Sequence, residues 1–161
     1  MSTPEVVSDN ELFKKLMKEH NIELDNTEVR IMLTGSEEAG LRGAKAWGAA
    51  HAKEYDDVPT FVYSYDTIAQ SEQLMVNYRD LNGTVKVDKD VSDLFVEACE
   101  ELNIPCKKGM VPPLGGATDS AAFAQAGLRA TGVTALSHAL PDFYHTRLDT
   151  PDALNKECLE L

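Results

Sequence analysis

Cysteine, long apolar runs and positive charge are all scarce in this chain of 161 residues. Its three cysteines, Cys99, Cys106 and Cys158, are odd in number and lack any Cys-x-x-Cys spacing, so we predict free thiols rather than a disulfide framework. Lys and Arg number 15 against 27 Asp and Glu, and the formal charge of -12 argues against nucleic-acid binding, which needs a basic surface. The polar N-terminal region lacks the apolar stretch of a signal peptide, and no run is long enough to span a membrane, so a cytoplasmic location is predicted.

Length and composition predict one globular domain. A chain of 161 residues can bury a substantial core, and a hydrophobic content of 43% is ordinary for globular proteins. No internal repeat or low-complexity tract divides the sequence.

A strand, a turn and a helix follow one another between residues 29 and 55. Val29 to Leu33 is a short, largely apolar run, typical of a parallel strand covered on both faces. The Ala-rich stretch from Leu41 to Tyr55 predicts a helix. Glu37 and Glu38 therefore lie on the turn at the carboxyl end of a strand, where open α/β sheets bind ligands. A purely structural alternative exists, because Glu near a helix start complements the macrodipole and caps free amides.

Two further polar groups occupy comparable positions. Asp66 ends a second apolar run, Thr60 to Tyr65, and the loop from Tyr144 to Asp152 places His145 between an aromatic residue and later carboxylates. A Glu pair, an Asp and a His, each at a strand end or in a loop, form the ligand set that a hydrolytic zinc site requires.

The remaining elements alternate in a way that predicts an α/β fold. The expected elements are an amphipathic helix over 11–20, two strands over 71–79 and 83–87 joined by an Asn-Gly turn, a helix over 91–102, a helix over 119–126, a strand over 130–136, and a helix that begins near Pro151.

Four segments, TGSEEAGLRGAKAW, FVYSYD, GGATDSAAFAQAG and YHTRLDTPD, resemble consecutive motifs of the di-zinc aminopeptidase family, the co-catalytic zinc exopeptidases of clan MH. The resemblance extends from about Glu28 to Asp152. It implies a three-layer α/β architecture, the phosphorylase/hydrolase-like zinc exopeptidase fold, in which helices flank a central, mostly parallel mixed sheet. It also implies two zinc ions as cofactors and peptides as substrates.

The resemblance assigns a role to each matching residue. It implies that Glu37 is the general base, that Glu38 and His145 bind one zinc ion, and that Asp66 binds the other. The EEAGLRGA string is also similar to the tetrahedral aminopeptidases of the same clan.

Other polar residues near these motifs receive weaker assignments. Thr118 is expected either to cap a helix or, with Asp119, to orient the wall of the site, and Asp119 is not predicted to be a ligand. Asp149 is expected to accept the second N–H of the His145 imidazole. His51 and His138 are interpreted as structural or solvent-facing.

The chain departs from the family pattern upstream of Val29. Family members begin the metal site with a His-x-Asp strand end and an Asp that bridges both metals, and this sequence has neither. His20 is expected at a helix end, with Ser8 or Asp9 as the N-cap of that helix. We therefore predict a fold truncated on its N-terminal side, in which residues 1–161 are the C-terminal portion of a single zinc-peptidase catalytic domain and zinc binding is partial or absent.

Three functions are compatible with the sequence. The first is a zinc aminopeptidase that removes N-terminal residues from peptides, present as a fragment that is inactive alone. The second is a clan-related amidohydrolase or carboxypeptidase-like hydrolase, and the third is a non-catalytic interaction domain derived from such an enzyme. Because loss of upstream strands would leave a sheet edge uncovered beside Val29 to Leu33, a two-fold homodimer is also predicted.

Overall fold

The structure is a computed structural model that describes residues 11–23, 26–110, 116–136 and 142–153. Helices and strands alternate through these residues. The helices are α1 (Glu11–Glu19), α2 (Arg42–His51), α3 (Lys89–Glu101) and α4 (Asp119–Gln125). The strands are β1 (Phe61–Ile68), β2 (Leu74–Asp80), β3 (Val85–Lys86), β4 (Lys107–Met110) and β5 (Arg129–Ala135). Short 3-10 turns occupy Ala52–Tyr55, Ser71–Gln73 and Pro151–Ala153.

The five strands form one mixed sheet. β1 pairs in parallel with β5, and β5 pairs antiparallel with β2. β2 also pairs in parallel with β4 and antiparallel with the short β3. Among the described strands, two pairings are parallel and two are antiparallel, so the predicted mixed sheet is confirmed although parallel pairing does not predominate.

Two apolar clusters cover opposite faces of the sheet. Alternate residues of a strand point to opposite faces, and β5 shows this directly. Ala130 packs in one cluster with residues of α2 and α4, whereas Val133 and Ala135 pack in the other with Cys99 of α3. The helices therefore lie on both sides of the sheet, which confirms the predicted three-layer α/β fold.

Most predicted elements are present with slightly different ends. The Asn-Gly signal does produce a tight turn between β2 and β3: Asn82 and Gly83 both have positive φ, as a two-residue hairpin turn requires, and Thr84 N donates to Leu81 O at 3.0 Å. The helix expected from Pro151 begins as a 3-10 turn, and its continuation falls outside the described residues. Within the described ranges, no helix combines the length and apolar content that a bilayer crossing demands.

The predicted buried strand over Val29 to Leu33 is the main correction. This segment pairs with none of the described strands. Ile31 is 43% exposed and Leu33 is 81% exposed, while Met32 packs against the cluster of α2 and α4. The apolar composition of this segment predicted a strand, but a strand also needs a hydrogen-bonding neighbour. In the described part of the chain β1 pairs only with β5, so the segment has no strand partner there.

Candidate functional site

The adjacent carboxylates Glu37 and Glu38 lie on a turn that backbone contacts hold closed. Gly43 N donates to Gly35 O at 2.9 Å, and Leu41 N donates to Glu37 O at 2.7 Å. A Cβ on Gly43 would lie 2.4 Å from Gly35 O, so only glycine permits this approach. The turn leads directly into α2 and presents both carboxylates before its first residue.

Asp66 lies near the end of β1, two residues before its last residue, Ile68. The strand extends to Ile68 rather than ending at Tyr65, because β5 supplies partners further along, including Thr134 opposite Asp66. The register shifts between Asp66 and Ile68, and the intervening Thr67 donates its hydroxyl to Asp66 Oδ1 at 2.7 Å. This irregularity orients the Asp66 carboxylate at the carboxyl end of the strand.

The loop after β5 brings His145 to the Glu pair. His145 Nε2 lies 2.8 Å from Glu38 Oε1, and the imidazole stacks on the Tyr144 ring with centroids 4.0 Å apart. The predicted hydrogen bond from the His145 imidazole to the Asp149 carboxylate is not formed in the described part of the chain. The backbone N–H of Asp149 donates to Thr146 O. The structure thus places Glu38 and His145 together, as the sequence predicted, and gives the imidazole a different partner.

Crowded negative charge dominates the electrostatics of this region. Burial, followed by the charges of Asp66, Glu38 and Asp119, raises the pKa of Glu37 to about 7, while His145 acts in the opposite direction. Burial also raises the pKa of Asp66, with further contributions from Glu38 and Asp119. Glu37, Glu38, Asp66 and His145 therefore share one electrostatic environment, although they come from three separate segments.

Three residues in or beside the site have left-handed backbone conformations. Ser36 precedes the Glu pair at φ 57°, Thr67 follows Asp66 at φ 50°, and His145 itself has φ 57°. Such conformations are unfavourable for residues with a Cβ, most of all for β-branched Thr, and they concentrate at functional sites. The surrounding fold therefore holds these segments in positions that they would not adopt by local preference.

Asp119, expected from the sequence to orient the wall of the site and not to be a ligand, contributes its charge to the same region. The Thr118 hydroxyl caps α4, which is the helix-capping role expected as one of two alternatives for this residue. Asp119 therefore lies in the first turn of that helix. Burial raises the pKa of Asp119, a hydrogen bond from Thr34 lowers it, and the Asp119 charge in turn raises the pKa of Glu37. The sequence feature that indicated a position beside the site was the Thr118-Asp119 pair in the segment GGATDSAAFAQAG.

Asp80, which sequence reasoning missed, supports the wall of the site through its contacts with the start of α4. Its fully buried carboxylate accepts hydrogen bonds from Thr118 N at 3.0 Å, Thr118 Oγ1 at 2.6 Å and Ser120 Oγ at 2.6 Å. Leu81 N also donates to it at 2.5 Å. Asp80 thereby ties the end of β2 to the start of α4. Its position between an apolar strand and the Asn-Gly turn was the available signal.

The remaining histidines lie away from this region or outside the described residues. His51 Nδ1 lies 2.9 Å from Glu54 Oε1, and its ring packs 5.4 Å from Trp47. His20 is exposed after α1. His138 falls outside the described residues, as do Ser8, Asp9 and Cys158.

The side chains near Glu37 are of the types that bind a divalent metal ion, but too few of them are arranged as ligands. Carboxylate oxygens and an imidazole nitrogen are ordinary zinc ligands, and the crowded carboxylates would be relieved by a cation. Among the described residues, however, no group of three or more His, Cys, Asp or Glu is arranged to hold a metal ion. Glu38, His145 and Asp66 therefore fit as part of a larger ligand set.

The three-layer α/β fold carries one carboxylate near a strand end, Asp66, and two carboxylates and a histidine on turns and loops, a donor set that suits hydrolytic chemistry. The sequence profile of Peptidase family M28 matches residues 10–160. The chain belongs to this peptidase family. No curated protein sequence gives a significant match.

Solved structures with the same fold include three aminopeptidases. The zinc aminopeptidase BSAP of Bacillus subtilis superposes with a TM-score of 0.65 at 23% identity, over 83% of this chain and 32% of that one. The aminopeptidase of Aneurinibacillus sp. strain AM-1 gives 0.63 at 24% identity, over 84% and 31%. The LapA aminopeptidase of Legionella pneumophila gives 0.62 at 20% identity, over 80% and 34%. This chain thus spans about a third of the length of the structures that it matches.

Proposed function

We propose that the chain is the C-terminal portion of the catalytic domain of a zinc aminopeptidase, which removes N-terminal residues from peptides. The observation that carries the proposal is the convergence of Glu37 with the Glu38–His145 pair and Asp66 in a member of Peptidase family M28. The aminopeptidases among the structural neighbours support it. A cytoplasmic location stays a prediction from the sequence.

Two zinc ions are the proposed cofactors, and the donors divide between them. Glu38 and His145 would hold one ion, and Asp66 would hold the other. When bound, zinc lowers the pKa of a water molecule and polarises a carbonyl group. The raised pKa values of Glu37 and Asp66 support a site that is built to receive positive charge.

Glu37 is the proposed general base. A pKa of about 7 suits this role, because a base with a pKa near the working pH both accepts and releases a proton readily. In this proposal the Glu37 carboxylate takes the proton of the attacking water and passes it to the leaving amine. Asp119, which also lies in this charged region, strengthens the basicity of Glu37 through its own negative charge.

The missing ligands are proposed to come from sequence that is not part of these 161 residues. A catalytic zinc ion takes about three protein ligands, whereas the residues proposed here supply two for one ion and one for the other. Coverage of only 31% to 34% of the matched aminopeptidases supports a longer functional protein.

We expect the 161-residue chain, dialysed against trace zinc, to retain well under two zinc ions per molecule by elemental emission analysis. The longer protein, with the coding sequence upstream of Met1 restored, should retain two and should hydrolyse aminoacyl anilides with a free amine. Two ions held tightly by the short chain would contradict the proposed ligand shortage.

The substrate panel separates the proposed activity from its alternatives. An N-acylated anilide serves as the matched substrate, since it differs only in the blocked amine. Cleavage of the acylated compound in preference to the free amine would replace the aminopeptidase with an amidohydrolase. Absence of hydrolysis in a protein that holds two zinc ions would favour a non-catalytic interaction domain.

We further propose that the 161-residue chain self-associates as a homodimer through the unpaired edge of β1 and the neighbouring apolar segment. Ile31 and Leu33 are 43% and 81% exposed, and no strand in the described part of the chain pairs with the outer edge of β1. We expect sedimentation at micromolar concentration to give a dimer, and Leu33→Lys to shift it towards monomer.

Leu102→Lys is the matched control for this experiment, because Leu102 is also an exposed leucine, at 68%, but follows α3 rather than lying in the apolar segment. The control variant should remain dimeric. A monomeric parent chain with a cooperative melt would show that the uncovered edge does not drive association.

A further inference from the structure

Two of the three cysteines meet on the face of the sheet covered by α3. Cys99 lies in the last turns of α3 and is 5% exposed, and Cys106 directly precedes β4. Both belong to the apolar cluster formed with Val76 and Val133. Both thiols are free, and Cys99 is among the groups that raise the pKa of Cys106.

The chain reversal between the two cysteines fixes this proximity. Ile104 N donates to Cys99 O at 2.8 Å, and Asn103 N donates to Glu100 O at 3.1 Å. Asn103 adopts a left-handed conformation, with φ 58°, which is the usual way to end a helix and turn the chain back. After the turn, β4 is anchored by its parallel pairing with β2. The backbone on both sides therefore fixes where the two cysteines lie in their shared cluster.

We propose that Cys99 and Cys106 form a redox-active pair that is oxidised to an intramolecular disulfide by small-molecule disulfides. Cys106 is partly exposed and Cys99 is buried, so the thiolate of Cys106 attacks first. Its sulfur bonds to one sulfur of the reagent, and the other leaves as a thiol. The Cys99 thiolate then displaces the second reagent thiol and completes the bond. The protein gives up two protons and two electrons, and the reagent disulfide is reduced to two thiols.

The surroundings of the pair set the rate of this exchange. Burial, followed by the neighbouring Cys99, raises the pKa of Cys106 to about 11. Because the thiolate is the nucleophile, the reaction is slow at neutral pH and accelerates about tenfold per pH unit below that pKa. The pair thus responds to sustained oxidising conditions rather than to brief ones.

The test uses the chain with Cys158→Ser, which leaves only the two cysteines of interest, and oxidised glutathione as the reagent. We expect both free thiols to disappear together, with a mass loss of two hydrogens and no retained glutathione. The melting temperature should rise on the order of 5 °C, because the bond restrains the unfolded chain. Dithiothreitol should restore both thiols and the original melt.

A second variant keeps the result interpretable. Cys106→Ser in the same background should keep its single buried thiol and its melting temperature under the same treatment. Stable glutathione adducts on Cys106, disulfide-linked dimers, or two thiols that persist at alkaline pH would each overturn the proposal. The readouts need neither zinc nor peptidase activity, so they are independent of the proposed function.

Discussion

Replacing Glu37 with Gln in the zinc-loaded longer protein is expected to lower kcat for peptide hydrolysis by about 10²- to 10⁴-fold, the range ascribed to a positioned general base. Gln preserves the shape of the side chain but accepts no proton at neutral pH. The turn that carries residue 37 is closed by backbone hydrogen bonds that do not involve its side chain, so the geometry should persist. Zinc content, measured by elemental emission, should be unchanged.

Two comparisons separate loss of the base from loss of metal. Glu38→Gln and His145→Ala remove proposed ligands and should lower zinc content together with activity. Glu97→Gln alters an exposed carboxylate on α3 and should leave both unaffected. If Glu37→Gln turns over an aminoacyl anilide at a near-normal rate, the general-base assignment is wrong.

Replacing Asp80 with Ala is expected to destabilise the fold by on the order of 3 to 5 kcal/mol, because several buried donors would lose a charged acceptor. The carboxylate is fully buried and accepts from two backbone N–H groups and two hydroxyls. The Thr118 and Ser120 hydroxyls are themselves 2.9 Å apart and can partly satisfy each other, but Thr118 N cannot be satisfied in this way. Urea unfolding monitored by circular dichroism measures the change.

Asp56→Ala supplies the control for this experiment, since Asp56 is an exposed carboxylate in the turn after α2. It should shift the unfolding midpoint little. Asp80→Asn keeps the volume and one acceptor oxygen and should fall between the two. Equal midpoints for Asp80→Ala and Asp56→Ala would show that the buried network contributes little to stability.

Periodic and capping signals predicted the helices and the hairpin well, because they act over a few residues. Helix α3 carries its own N-cap, in which Asp88 accepts from Val91 N, and α4 begins with the Thr118 cap. Val29 to Leu33 shows the limit of such reasoning. A run of apolar residues predicts a strand only if another strand lies beside it, and that neighbour is a property of the whole sheet.

The candidate residues were predictable from the family-like motifs in which they lie. Glu37, Glu38 and His145 were selected in this way, and the structure brings them into one electrostatic environment, although the strand expected before the Glu pair is not formed in the described part of the chain. Asp80 was not found, because its importance lies in contacts with residues 38 and 40 positions away. No local pattern encodes a hydrogen-bond network that closes only after β2 and α4 pack together.

The close approach of Gly35 and Gly43 also constrains which substitutions the turn that carries Glu37 and Glu38 can accept. An added methyl group at position 35 would meet no atom within 4 Å, whereas one at position 43 would collide with the Gly35 backbone. The two ends of the turn therefore differ in mutational freedom, although both are glycine. The side chains at positions 37 and 38 take no part in this close approach, so they can be exchanged on an unchanged backbone. Gly40, with φ 99°, and Gly43 are the positions in this turn that resist a side chain.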